Sequence, residues 1–174
     1  MISNSVLGLA LLVGFFNSTK NPDLPTVKEV DLNKYAGKWY EIAKLPNRFE
    51  RGLECITATY TIKKNGKVEV KNGGIKTKKG KMQDIKGTAW VPNLSHPGVL
   101  KVQFFWPFAG DYYIMDLDED YQYALVGSPN RDYLWILSRV PELSDELYIS
   151  LLNNAKDQGF DISKVEKVNQ QCDN

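Results

Sequence analysis

Histidine is almost missing: His96 is the only one in 174 residues. That leaves no multi-histidine metal site and a single candidate for any histidine-based triad. Neither sign of charge is in excess. Lys+Arg 22 against Asp+Glu 21 leaves a net +1, too little for a global field that would hold a polyanion, so no nucleic-acid partner is expected. The run at residues 6–16 is entirely apolar or glycine, yet it is well short of the ~20 apolar residues that cross a bilayer. Because residues 1–19 also lack any charge, this stretch is read as a signal peptide, with export as the consequence. Cysteine is limited to Cys55 and Cys172. An even count in an exported chain suggests one disulfide closing a long loop, and two free thiols in a reducing compartment are the alternative.

What is present suits one globular domain from about residue 24 to 174. Hydrophobic residues at 43% and charged residues at 25% are enough for a full core and unlike a disordered chain. Along residues 55–62, Ile56, Ala58, Tyr60 and Ile62 alternate with Cys55, Thr57, Thr59 and Thr61, the period of a half-buried strand. Asn65-Gly66 then makes a hairpin turn into a strand carrying Val68 and Val70. Further strands are expected at 82–91, 99–105, 112–117, 122–127 and 133–140, separated by turn residues such as Pro92-Asn93, Pro97-Gly98 and Pro129-Asn130. With residues 37–44 this gives about eight short strands in up-and-down order, a sandwich or a small closed barrel. One helix interrupts them: Ser144 caps it, Asp145 and Glu146 suit its N-terminal end, and Gly159 stops it. Leu147, Leu151, Leu152 and Ala155 form its apolar stripe, which points to packing on the outer wall.

Three motifs in order carry a family resemblance. Gly37-Lys38-Trp39-Tyr40 resembles the opening Gly-x-Trp signature of the lipocalins, and Arg48-Phe49-Glu50-Arg51-Gly52-Leu53 resembles the bacterial outer-membrane lipocalin and apolipoprotein D branch. Asp111-Tyr112-Tyr113 is similar to the second motif and residues 134–139, ending in Ser138-Arg139, to the third. The resemblance implies an all-β fold: an eight-stranded antiparallel up-and-down barrel with one C-terminal helix packed outside. It also implies structural roles for Trp39, closing the bottom, and for Arg139, lying across its ring. The pair Cys55 and Cys172 resembles a disulfide of apolipoprotein D, whereas the lipid-anchor cysteine of the bacterial branch is missing.

Strand parity then nominates a ligand-binding wall: Ile56, Ala58, Tyr60, Val68, Val70, Leu100, Val102, Phe104, Tyr113, Met115, Tyr133 and Trp135. Ile85, Gly87 and Ala89 form the more apolar face of their strand. A tightly packed core is the alternative for the same side chains. Placing Trp39 at the closed end puts alternate loops at the open one. These loops bring Arg48, Arg51, Lys76, Lys78, Lys79, Lys81 and Arg131 together with Phe49, Trp106, Pro107 and Phe108, a basic and aromatic mouth. Ordinary solvated lysines beside a packed turn would read the same way.

The resulting expectation is a carrier of a fatty acid or lysophospholipid, periplasmic or secreted and associated with the outer membrane, with peripheral contact to anionic membrane and room for a homodimer. No catalytic residue, cofactor or metal is expected. Two alternatives stay open: a lipocalin-fold enzyme acting on a lipid, for which Cys55 or His96 would have to serve, and a carrier of a small pigment or heme.

Overall fold

The computed structural model describes residues 23–172; the expected signal peptide lies outside the described residues. Eight strands run in the expected order: β1 (Gly37–Lys44), β2 (Leu53–Ile62), β3 (Val68–Lys76), β4 (Lys81–Trp90), β5 (Val99–Phe105), β6 (Phe108–Leu117), β7 (Tyr123–Gly127) and β8 (Leu134–Ser138). Each pairs antiparallel with the next, and β1 pairs with both β2 and β8, which closes the sheet into a barrel. A ninth short strand, β9 (Glu166–Lys167), pairs antiparallel with Ala43 and Lys44 of β1, beyond the stretch of β1 that pairs with β2. Two strands are longer than the sequence suggests. β3 reaches Lys76 and β6 begins at Phe108, so the connections at the open end shrink to residues 77–80 and 106–107.

Two apolar clusters lie on opposite sides of the wall. Inside are Trp39, Ala58, Tyr60, Val68, Val70, Ala89, Leu100, Ile114, Ala124, Val126 and Leu137. Outside, Ile42, Ala43, Leu125, Leu134 and Ile136 meet the helix α2 (Asp145–Asp157) through Leu151 and Ala155, with Leu147 and Leu152 partly buried beside them. Ser144 Oγ accepts from the Leu147 amide, and Gly159 at φ +88° ends the helical course, because a left-handed residue there carries no Cβ penalty.

β-Bulges shift the register in four strands, one of them β5 between Val102 and Phe105; the other three bear on the site. In β1 the register slips between Glu41 and Ala43, so Ile42 and Ala43 both belong to the outer cluster while Lys44 turns back inward. In β6 the slip lies between Ile114 and Asp116. β2 carries the third, between Glu54 and Thr57, with Cys55 at φ +50°. From this bulge Cys55 joins Cys172, their Cα atoms 6.3 Å apart across 117 residues of sequence. The C-terminal segment that delivers Cys172 is pinned by hydrogen bonds to β1 and β2: the Val168 amide donates to Ile42 O, the Cys55 amide to Asn169 O, Asn169 Nδ2 to Glu54 Oε2, and Gln170 Nε2 to Glu41 O and Ile56 O.

One side of the wall is lower than the rest. β4 pairs with β5 only at Thr88, Ala89 and Trp90, so toward the mouth the β3–β4 hairpin continues without a β5 partner.

Candidate functional site

The closed end is a fully bonded plug. Trp39 is completely buried and its indole Nε1 donates to Tyr35 O at 2.8 Å. The Arg139 guanidinium stands 3.8 Å from the Trp39 ring centroid, a cation over an indole face. Its nitrogens donate to the carbonyls of Lys34, Tyr35, Ala36, Lys38 and Tyr121, which ties the short helix α1 (Leu32–Tyr35) to β1 and to the β6–β7 turn. Gly37 at φ +98° lets the chain enter β1 with Arg139 alongside, since a Cβ there would stand 3.3 Å from Nη1. Just above the plug, three tyrosine hydroxyls form a chain: Tyr112 OH is 2.6 Å from Tyr35 OH and 2.9 Å from Tyr60 OH. Burial raises the pKa of all three well above the ordinary phenol value, so they are neutral hydroxyls.

Most of the nominated wall faces this interior. Ile56, Ala58, Tyr60, Val68, Val70 and Leu100 are buried, and Val102, Phe104 and Trp135 are half-buried. Tyr133 stacks on Trp135 with ring centroids 5.7 Å apart. Two nominations are corrected. Tyr113 and Met115 lie in the outer cluster, and their neighbours Tyr112 and Ile114 take the inward places. The strand is apolar at every position from 112 to 115, and α2 covers its outer face, so alternation offers no contrast from which to choose. Gly127 reflects the same packing: a Cβ there would stand 2.6 Å from Phe160 and 2.7 Å from Met115. Arg131 is the third correction. It donates to Gln158 O and Pro129 O beside the Phe160 ring, so it braces the end of α2 instead of joining the mouth.

Burial falls off along the interior. At the floor Trp39, Ala89, Ile114 and Leu137 are at most 3% exposed. Toward the open end Phe104 and Trp135 are half-buried, and Ile85 is 37% exposed. At the rim Phe49, Phe105, Trp106 and Phe108 are at least 60% exposed, among the exposed side chains of Arg48, Arg51, Lys78, Lys79 and Lys81. Lys76 is half-buried and donates to Arg51 O.

A buried polar cluster went unnoticed in the sequence. Lys44, 6% exposed, sits 3.3 Å from Glu50 Oε2 and 3.8 Å from Glu41 Oε1. Asn47 Nδ2 and the indole of Trp135 also donate to the Glu50 carboxylate. Burial first, then the neighbouring Glu50 charge, pushes the Glu41 carboxyl well above its usual range, against the opposing pull of Lys44. The signal was available: counting by two from Trp39 puts Glu41 inside. Lys44 follows only once the bulge is known. Lys44 and Glu50 also border an outer groove of about 530 Å³ between the β1–β2 loop and the C-terminal segment.

A family model described as a lipocalin-like domain matches residues 30–170. The chain is a lipocalin. It is 43% identical over 160 residues to an outer membrane lipoprotein, Blc, of Escherichia coli, covering 92% of this chain and 90% of the relative. To apolipoprotein D of Mus musculus it is 37% identical, with 93% of each covered. Among solved structures the fold is similar to insecticyanin from the tobacco hornworm Manduca sexta, with a TM-score of 0.69, 24% identity and 85% of each chain covered. This lipocalin has Arg139 stacked over Trp39 at its floor and Cys55 in a disulfide. His96 is exposed in the β4–β5 turn at the closed end.

Proposed function

We propose that this lipocalin carries a single-chain lipid, a fatty acid or lysophospholipid, with the tail inside the barrel and the head at the mouth. The gradient of exposure along the inner wall carries this reading. Apolar surface left open to water at Val102, Phe104, Ile85 and Trp135 gains stability when an alkyl chain covers it, by about 25 cal/mol per Å². The floor below offers no such surface. Native mass spectrometry of freshly purified protein, followed by extraction, is expected to find a bound amphiphile. Protein that is lipid-free and takes up no amphiphile at all would overturn the reading.

The place of work follows from the relatives. The resemblance to a protein named as an outer membrane lipoprotein supports an exported, cell-envelope carrier. The rim supports a membrane as donor or acceptor of the lipid. Lys78, Lys79 and Lys81 lie in or beside one four-residue connection, and each adds on the order of 1 kcal/mol of attraction near an anionic surface. Trp106 and Phe108 are exposed in and beside another open-end connection, and such rings favour the headgroup region of a bilayer. Vesicles of anionic lipid are expected to bind in a salt-sensitive way and neutral vesicles hardly at all. Lys78→Glu with Lys79→Glu should lower vesicle binding and transfer rate while leaving affinity for a soluble fatty acid unchanged. An equal loss of that affinity would move these lysines into head-group recognition.

Binding is favoured over lipid catalysis by the placement of the two candidate residues. Cys55 holds a disulfide outside the barrel and His96 sits at the opposite end from the mouth.

A further inference from the structure

β1 and β2 part company toward the mouth. They pair only from Gly37–Tyr60 to Tyr40–Thr57. Above that point β1 stays on β8 as far as Lys44–Trp135, and β2 stays on β3 as far as Leu53–Lys76. The two strand edges face a seam, and the C-terminal segment fills it. β9 pairs with Ala43 and Lys44, the Val168 amide donates to Ile42 O, and Asn169 O accepts from the Cys55 amide. Gln170 sits at the foot of the seam, where its Nε2 donates to Glu41 O on one edge and to Ile56 O on the other. The upper half of this wall is completed by a stave from the far end of the chain.

That stave is held chiefly at its two ends. At one end Ile162 and Val165 pack against the outer cluster. At the other, Cys172 is bonded to Cys55. Between them residues 166–171 are polar except for Val168, and none is buried. Such a segment has little apolar contact to hold it, and hydrogen bonds exchanged with water contribute only modestly each. Without the disulfide its end gains chain entropy, so the covalent bond decides whether the seam stays closed. Both cysteines are half-buried and so partly accessible to a small thiol. The partition behind is thin. Lys44 and Glu50 line the outer groove between the β1–β2 loop and the stave, and Glu50 accepts from the Trp135 indole of the inner wall.

We propose that Cys55–Cys172 is the bolt of a side gate, opened by reduction, through which a lipid leaves the barrel between β1 and β2. The reductant is a dithiol. One of its thiolates attacks a sulfur of the disulfide, its second thiol resolves the mixed disulfide, and Cys55 and Cys172 are left as thiols while the dithiol is oxidised to a cyclic disulfide. The freed stave then swings out from Val165. The jambs stay in place, because β1 remains paired with β8, β2 with β3, and β1 with β2 at the floor. Reoxidation closes the gate. The release step rests on the carrier reading; the opening of the seam does not.

Hydrogen exchange tests the gate without a ligand. Dithiothreitol is expected to speed exchange across residues 53–56 and 166–170 by at least about tenfold, while residues 37–40 and 57–60 stay protected. Release of a bound polyene fatty acid, followed by its own fluorescence, should quicken by at least about tenfold in the reduced protein and slow again on reoxidation. The double variant Cys55→Ser with Cys172→Ser should release fast from the start and ignore the dithiol. Loss of the near-ultraviolet circular dichroism on reduction, or exchange rising equally at floor and seam, would make the bond a plain structural tie and overturn the proposal. So would a folded, reduced protein whose seam stays protected, or an open seam with unchanged release. If the oxidised protein takes up no fatty acid, the carrier reading falls and the release step with it, and exchange alone then decides whether reduction opens the seam.

Discussion

The floor and the mouth of this barrel are built from the same strands by different rules. At the floor, Trp39 is sealed, its N–H is bonded, and Arg139 satisfies five carbonyls. Near the mouth, aromatic side chains stay half open, and the Glu41 carboxyl shares a hydrogen bond with Glu50 beside Lys44. The floor holds the fold by packing; the mouth half leaves apolar surface open and is held by the C-terminal segment bonded to β1 and β2. On the proposed reading, stability and ligand binding are thus separated along the barrel axis.

Removing that outer hold should have the largest effect. Cys172→Ser opens a loop of 117 residues and is expected to cost about 4 to 5 kcal/mol in a chain-entropy account. Urea denaturation under oxidising conditions measures it; a loss below about 1 kcal/mol would mean that the strap's hydrogen bonds suffice alone. Trp39→Ala comes next, at about 4 kcal/mol, because it empties a sealed site and strips Arg139 of its ring. The same truncation at half-buried Phe104 should cost clearly less, and equal losses would erase the distinction between the two ends.

Fluorescence sharpens the comparison without large energies. In variants retaining one of Trp39, Trp90, Trp106 and Trp135, addition of a fatty acid is expected to change the Trp135 signal and leave Trp39 still. A response confined to Trp39 or Trp90 would place the ligand elsewhere. The smallest effect concerns pH. The folded pKa of Glu41 lies above its unfolded value, so its contribution is complete at acid pH and declines as pH rises through the folded pKa. Glu41→Gln should therefore show a shallower fall in unfolding free energy than the wild type as pH rises above the ordinary carboxylate range. A steeper fall in the variant would assign the wrong sign.

The floor was more legible in sequence than the mouth. Gly37, Trp39 and Arg139 stand out as a spaced motif, and Ser144 with Gly159 brackets α2. Alternation also places Ile56, Ala58, Tyr60, Val68 and Val70 correctly on the inner side, because polar residues separate them. It fails where bulges add a residue, since a bulge has no compositional mark: Ile42 and Ala43 both face outward, and Lys44 looks like a solvated lysine until that slip is known. It fails again at residues 112–115, where both faces of β6 are buried and Tyr113 and Met115 serve the helix side.

The lowered wall beside β4 has a consequence for how molecules of this protein meet one another. A strand that runs on past its neighbour presents main-chain donors and acceptors that any other extended chain could zip onto. Here that stretch is studded with Lys81, Asp84 and Lys86, all exposed. Another chain pairing there would strip these charges of water. The ionic fringe thus acts as a bumper, and protein made at high concentration should stay dispersed for as long as those lysines keep their charge.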